Sequence, residues 1–132
     1  MRENVDDLWQ MRFKPIADSG RLRMVDGDTE ISDSIGCRLT TGHTVGHQSV
    51  VISAGSKKAL YLGDLAVLAE NLENPEWGPN WAWSRTADIA SRQIIVNWAV
   101  ENGAILVLGH DLRHPWIRLQ KERAGFTVVP AN

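Results

Sequence analysis

Between Glu3 and Ile16, apolar side chains recur at loosely helical spacing at Val5, Leu8, Trp9, Met11 and Phe13, which predicts one short helix that Pro15 limits. Arg21 to Val25 alternates apolar and charged residues as a half-buried strand does, and Asp26-Gly27-Asp28 follows as a turn. Ile35 to Thr41 reads as a further strand. Gln48 to Ala54 and Ala59 to Leu62 are β-rich runs joined by Gly55-Ser56-Lys57-Lys58, a hairpin signal.

Asn71 to Trp83 mixes Asn, Pro, Gly and Trp too irregularly for a regular element, and ordered loops of that length often carry function. Periodicity returns from Thr86 to Asn102. There Ala87, Ala90, Ile94, Ile95, Trp98 and Ala99 mark one helical face, Asp88 suits the first turn, and Gly103 can stop the helix. Ala104 to Leu108 is a continuous apolar run, as in a strand buried on both faces. Trp116 to Gln120 and Phe126 to Val129, separated by Lys121 to Gly125, make a final hairpin. Strands come first and one helix lies between buried strands, so a mixed α and β fold is expected, with residues 1–132 forming a single domain.

Composition narrows the partners. With 43% hydrophobic and 23% charged residues and a net charge of -2, the chain has the make-up of a globular protein and no basic face for nucleic acid. The longest apolar runs are too short to cross a bilayer, and Asp6 and Asp7 argue against a secretory leader, so the cytoplasm is the expected location. The single cysteine, Cys37, can form no internal disulfide and is expected to pack within its strand. Three of the six tryptophans, Trp77, Trp81 and Trp83, fall inside the irregular stretch.

Candidate chemistry lies at three strand ends that share one pattern: Thr41-Gly42-His43, Leu62-Gly63-Asp64 and Leu108-Gly109-His110. Glycine lets the backbone turn sharply or approach a neighbour closely, so the next side chain is aimed over the sheet edge rather than into the core. Imidazole nitrogen and carboxylate oxygen suit zinc and related metals. If these strands lie side by side, His43, Asp64 and His110 share one cleft. Taken singly, each has a plainer reading, as a loop histidine or a turn-capping aspartate; the repetition favours a site. His47 is the weaker of its pair, because an i, i+4 pair chelates only on a helix and Gly42 and Gly46 oppose one; it is expected to hold the turn or support the ligands. His114, before Pro115, reads as exposed or substrate-facing; Asp111 can orient a neighbouring group, with a surface carboxylate as the plainer reading. Ser49 sits at a strand start without a nucleophile elbow, which makes a serine triad improbable.

These same residues resemble a known family. TTGHTVGHQSVVI, ALYLGD and ILVLGHD are similar to the three late motifs of the metallo-β-lactamase superfamily, in the same order, with Thr41 and Val45 where prolines are usual. NLENPEW and the helix after it look most like the branch of lactonase-like and organophosphate-hydrolase-like enzymes. The resemblance runs from about Arg21 to Pro130. It implies the C-terminal half of an αββα sandwich: a mixed β-sheet, one long covering helix and a terminal hairpin. It further implies that His43 completes a first metal site, Asp64 bridges two ions, His110 belongs to the second, and His47 supports them. One or two zinc ions would then activate water to hydrolyse a small ester, lactone or phosphoester, with Trp77, Trp81 and His114 near the substrate.

The family's earlier His-x-His-x-Asp-His run is absent from this sequence, and Val67 stands where some of its lactonases carry tyrosine. A full binuclear site therefore needs residues that this chain lacks, as in a truncated domain. An inactive fragment or subunit, or a mononuclear metal-binding or small-molecule-binding module, are the alternatives. The bare inner face of the sheet is expected to drive homodimer formation, pairing with a complementing N-terminal half, or aggregation.

Overall fold

A computed structural model describes residues 5–78, 80–123 and 125–131. Gly55 takes a left-handed φ of 60° and, with Ser56, turns β3 (Gln48–Ala54) back on β4 (Lys57–Tyr61), so the strongest hairpin signal in the sequence becomes the centre of a sheet. β2 (Ile35–Leu39) pairs with β3, and β1 (Thr29–Ser32) pairs with β2 at the edge. Across from them lie β5 (Ile105–Val107), β6 (Trp116–Glu122) and β7 (Gly125–Pro130). The seven strands stand in chain order, each antiparallel to its neighbour except β4 and β5, which run parallel. A parallel pair needs a crossover, and the long helix α4 (Arg85–Asn102) supplies it.

Both ends of α4 follow from local chemistry. The Ser84 hydroxyl accepts the Ala87 N–H at 3.3 Å, and Gly103 closes the helix in the left-handed region at φ 55°. Its inward stripe is Asp88, Arg92, Ile95, Val96 and Ala99. That differs from the face expected from the apolar residues: Ile94 is exposed, because a buried Asp88–Arg92 ion pair occupies two inward positions and rotates the helix.

Three other expectations are corrected. Arg21 to Val25 is not a strand; the sheet edge is taken by β1, and Met24 is exposed. Pro15 does not end the first helix. Helix α1 (Val5–Leu8) passes through a π-helical turn, Trp9–Phe13, into α2 (Lys14–Asp18), with Pro15 directly after the π turn. The irregular stretch also begins inside a short helix, α3 (Glu70–Glu73).

Period-two alternation splits the sheet into two unlike faces. Val51, Leu60, Leu106 and Ile117 stand side by side in register and pack with Ile95, Val96 and Ala99 of α4 and with Leu65, Ala69 and Leu72. The opposite face carries a second row in register: Cys37, Val50, Tyr61, Val107 and Trp116. Tyr61 is 42% exposed and Trp116 61%, so this apolar face has no covering layer among the described residues. Among the same residues no helix is long and apolar enough to cross a membrane.

Leu106→Ala removes a wholly buried side chain from the covered face and is expected to lower stability by about 2–5 kcal/mol. Leu112→Ala, at an almost fully exposed position, is expected to change it by less than about 0.5 kcal/mol. Urea denaturation of the two variants measures the difference.

Candidate metal centre

The three glycine-terminated strand ends do converge. Asp64, in the single 3-10 turn after β4, has a carboxylate touched on both sides: His43 Nε2 lies 3.4 Å from Oδ2 and His110 Nε2 lies 2.7 Å from Oδ1. Gly63 turns at φ 57°, and an added Cβ there would sit 2.9 Å from His47 Nε2, so a larger residue would displace that imidazole. An added Cβ at Gly109 would fall 2.9 Å from the Tyr61 hydroxyl, so a larger residue before His110 would push the end of that ring aside. The His43 side chain is 23% exposed and that of His110 58%.

His47 is not at the rim but behind it. Its Nε2 accepts the Asp64 N–H at 3.0 Å, so Nε2 carries no proton and the neutral ring is protonated at Nδ1. Nδ1 lies 2.8 Å from the Thr40 hydroxyl and 3.2 Å from the Thr40 carbonyl, both acceptors for that proton. The Thr40 hydroxyl is then free to donate to Ser49 Oγ at 3.1 Å, and Ser49 donates to the Leu62 carbonyl at 3.2 Å. Every proton in this series has one place. Burial pushes the His47 imidazole below its usual 6.5, with the Thr40 hydrogen bond opposing, as a neutral, tautomer-fixed ring requires. Ser49 is thus engaged in structure.

The His43 loop is fastened to the start of α4. Ser84 N–H donates to the Gly42 carbonyl at 3.0 Å, Trp83 N–H to the His43 carbonyl at 3.1 Å, and the Ser91 hydroxyl to the Thr41 carbonyl at 2.7 Å. Gly42, at φ 155°, meets Asp88 directly: an added Cβ would fall 2.3 Å from the Asp88 Cα. Asp88 and Arg92 are 2% and 1% exposed, and the Arg92 guanidinium also donates to the Trp77 carbonyl. In the sequence Asp88 read only as an acid suited to the first turn of the helix, and nothing marked Arg92 as its partner.

Asp111 is buried, contrary to the plainer of its two readings, a surface carboxylate. It accepts the N–H groups of Ala69 at 3.0 Å, Arg113 at 3.0 Å and His114 at 2.9 Å. Burial alone would raise its pKa; the three donors outweigh that and hold it below 3.8. The carboxylate therefore sets the turn that presents His110, its chain neighbour. The strand-glycine-His signal continues one residue further, as Gly-His-Asp, and that is where the sequence marked it. His114 lies beside this turn, its Nδ1 3.7 Å from Asp111 Oδ2. Trp77 and Trp81 are exposed, and Trp81 with Val67, Leu68, Asn71 and Gly78 lines a shallow cavity of about 260 Å³ next to the Asp64 turn.

In kind, the donors suit zinc: two imidazole nitrogens on opposite oxygens of one carboxylate. In number they fall short. Among the described residues no group of three or more His, Cys, Asp or Glu side chains is arranged to hold one metal ion.

No protein-family model and no curated protein matches the chain. Solved structures match its fold. A probable metal-dependent hydrolase from Staphylococcus aureus superposes with a TM-score of 0.74 at 16% identity, over 86% of this chain and 41% of its own. AidC, a dizinc quorum-quenching lactonase, gives 0.73 at 18% identity over 99% and 50%. The hydrolase AbOPH of the beta lactamase superfamily gives 0.77 at 16% identity over 97% and 44%. The chain thus has the fold of one half of such metallo-β-lactamase-type hydrolases, and spans half or less of their length.

Because the folded chain resists protonating His47 while the unfolded chain takes up that proton near 6.5, this group's stability is present above 6.5 and lost as pH falls below it. In chelator, the urea midpoint is expected to drop below that pH in the parent and less in His47→Gln. At neutral pH His47→Gln is expected to cost about 1–3 kcal/mol, by stranding buried partners.

Proposed function

We propose that this chain carries the late half of a zinc-dependent hydrolase site that acts on a small ester, lactone or phosphoester. The single observation behind the reading is the Asp64 carboxylate, shared between the Nε2 atoms of His43 and His110. Asp64 with His43 would hold one zinc ion, and Asp64 with His110 a second. Bound there, zinc supplies Lewis-acid activation of water and of the substrate's carbonyl or phosphoryl oxygen. The chain's own residues do the positioning: His47 holds the Asp64 backbone, Asp111 holds the His110 turn, and the exposed Trp77 and Trp81 offer apolar surface to a substrate, with His114 near the rim.

Two donors on each side are fewer than a catalytic zinc ordinarily takes from protein. The remaining ligands would come from a companion half carrying its own sheet, seated on the row Cys37, Val50, Tyr61, Val107 and Trp116. Matching hydrolases are about twice as long as the part of them that this chain covers, which leaves in each a second half of comparable size. Sheets of this kind pack face to face at about 10 Å, burying such rows. A second reading, a mononuclear metal-binding module without turnover, is favoured by the small donor number alone.

Zinc titration of the isolated chain by calorimetry, with hydrolysis of p-nitrophenyl acetate followed in parallel, separates the readings. Weak zinc binding is expected, reduced about 10-fold or more by His43→Ala, Asp64→Ala or His110→Ala and less than about twofold by His114→Ala. Zinc without ester hydrolysis favours the binding module, and no zinc binding leaves an inactive subunit. If His114 matters and the other three do not, the assignment is wrong. Light scattering is expected to find the lone chain self-associated; a dispersed monomer with a cooperative melt counts against the companion half.

A further inference from the structure

A second cavity, of about 500 Å³, opens beside α4 on the helix-bearing face of the sheet, and none of the residues lining it belongs to the metal centre. Small residues keep its floor open. The register sets Gly36 opposite Val51 and Ser53 opposite Lys58 on the face that packs against α4, and α4 supplies Trp98 as one wall. Two cations converge on that indole: Arg38 Cζ lies 5.3 Å and Lys58 Nζ 5.7 Å from the ring centre. A π face attracts cations at such distances, but a guanidinium also needs oxygen acceptors in its own plane. Charge in the cavity is sorted by depth, with Arg38 and Lys58 half-buried and Asp28, Glu30 and Asp33 exposed around the mouth. Lys58 donates to a neutral partner, Asn102 Oδ1, at 2.7 Å. Arg38 is less well served. Its side chain is only 29% exposed, its nearest carboxylate oxygen, Asp28 Oδ2, is 3.9 Å from Nε, and its guanidinium makes no hydrogen bond among the described residues. Asp28 cannot follow it inward, because the Leu39 N–H holds the other oxygen at 2.7 Å.

We propose that this cavity binds a small organic carboxylate, with its anionic end on Arg38 and Lys58 and its apolar body against Trp98 and Val51. Guanidinium and carboxylate pair through two parallel hydrogen bonds, and the depth of Arg38 removes much of the water that would compete for them. One negative charge suits the site better than the two of a phosphate monoester, because the three acids at the mouth oppose a second. The volume is also right, since small-molecule sites commonly enclose about 300–1,000 Å³. Gly36 is what leaves that volume empty. It has no left-handed φ, and an added Cβ would meet only the Thr29 carbonyl at 3.5 Å, an ordinary contact, so the backbone there does not require glycine. The site is independent of zinc and of the hydrolase reading.

Calorimetry tests this on the full chain at neutral pH, in buffer freed of metal by a chelating resin, with benzoate and octanoate as probes. Binding of at least one of them is expected, with benzyl alcohol about 10-fold or more weaker than benzoate and phenyl phosphate weaker than benzoate. Arg38→Lys keeps the charge but loses the planar fork, and is expected to weaken the carboxylate about 10-fold. Gly36→Val fills the floor and is expected to abolish binding, whereas Asp64→Ala, in the metal centre, is expected to leave it unchanged. The proposal is overturned if neither carboxylate binds, or if phenyl phosphate binds more tightly than benzoate. Carboxylate binding that Arg38→Lys leaves intact also overturns it, by placing the ligand elsewhere, for instance on the bare apolar face; that variant decides the matter even if Gly36→Val does not fold. A chain that takes up benzoate through Arg38 yet binds no zinc counts against the hydrolase reading and leaves this site standing.

Discussion

Hydrogen bonds that run from the Asp64 amide through His47, Thr40 and Ser49 to the Leu62 carbonyl close a buried ring across the ends of β2, β3 and β4. Leu62 and Asp64 are two residues apart, so the ring clasps the Gly63 turn between them. Each link contributes only about 1 kcal/mol net, but breaking one strands a buried partner at a cost of about 1–3 kcal/mol. The ring therefore behaves as a unit, and its directionality follows from a single fact: Nε2 of His47 is an acceptor. Asp64 reaches the rim because its own backbone amide is spent on that nitrogen.

The sheet is finished on one side only. α4 and the turn after β4 supply Ile95, Val96, Ala99 and Leu65 to one face, and Leu60 and Leu106 are wholly buried beneath them. On the other face, the register that lines up Val50, Tyr61, Val107 and Trp116 makes a continuous apolar band from alternate residues of the same strands. Strands of a sheet wetted on one side carry polar residues at those positions. This sequence does not, so the two faces were built to the same specification and only one has its cover among the described residues.

The sequence disclosed what rests on short-range pattern. The turn at Gly55, the helix stop at Gly103 and the glycines at the three strand ends are local features, and the structure has the turn and the stop where the pattern put them, with Lys57 and Lys58 drawn into β4. What it hid depends on partners distant in the chain. The Arg21 to Val25 alternation is a sound strand pattern that lacks a strand to pair with. Asp88 read only as a first-turn acid of the helix, and its burial depends on Gly42, some forty-five residues earlier, closing over it. Asp111 looked like a surface group because its three donors are backbone N–H groups, one of them from Ala69, and backbone donors leave no mark in a sequence. The resemblance to the metallo-β-lactamase superfamily gave the half-sandwich fold, which neither composition nor periodicity would have named.

The two sides of Asp64 are unequally prepared. His43 is sheltered, its main chain tied to Trp83 and the residue before it to Ser84, with Asp88 against Gly42. His110 is more than half exposed, and its order comes from Asp111 gripping the turn that follows. A fixed donor binds a cation without first losing its own freedom, so preorganisation favours the His43 side. The exposed side is where a substrate or a companion segment can approach. Tyr61 stands between the two: its hydroxyl end lies close to Gly109, while the residue belongs to the uncovered apolar row.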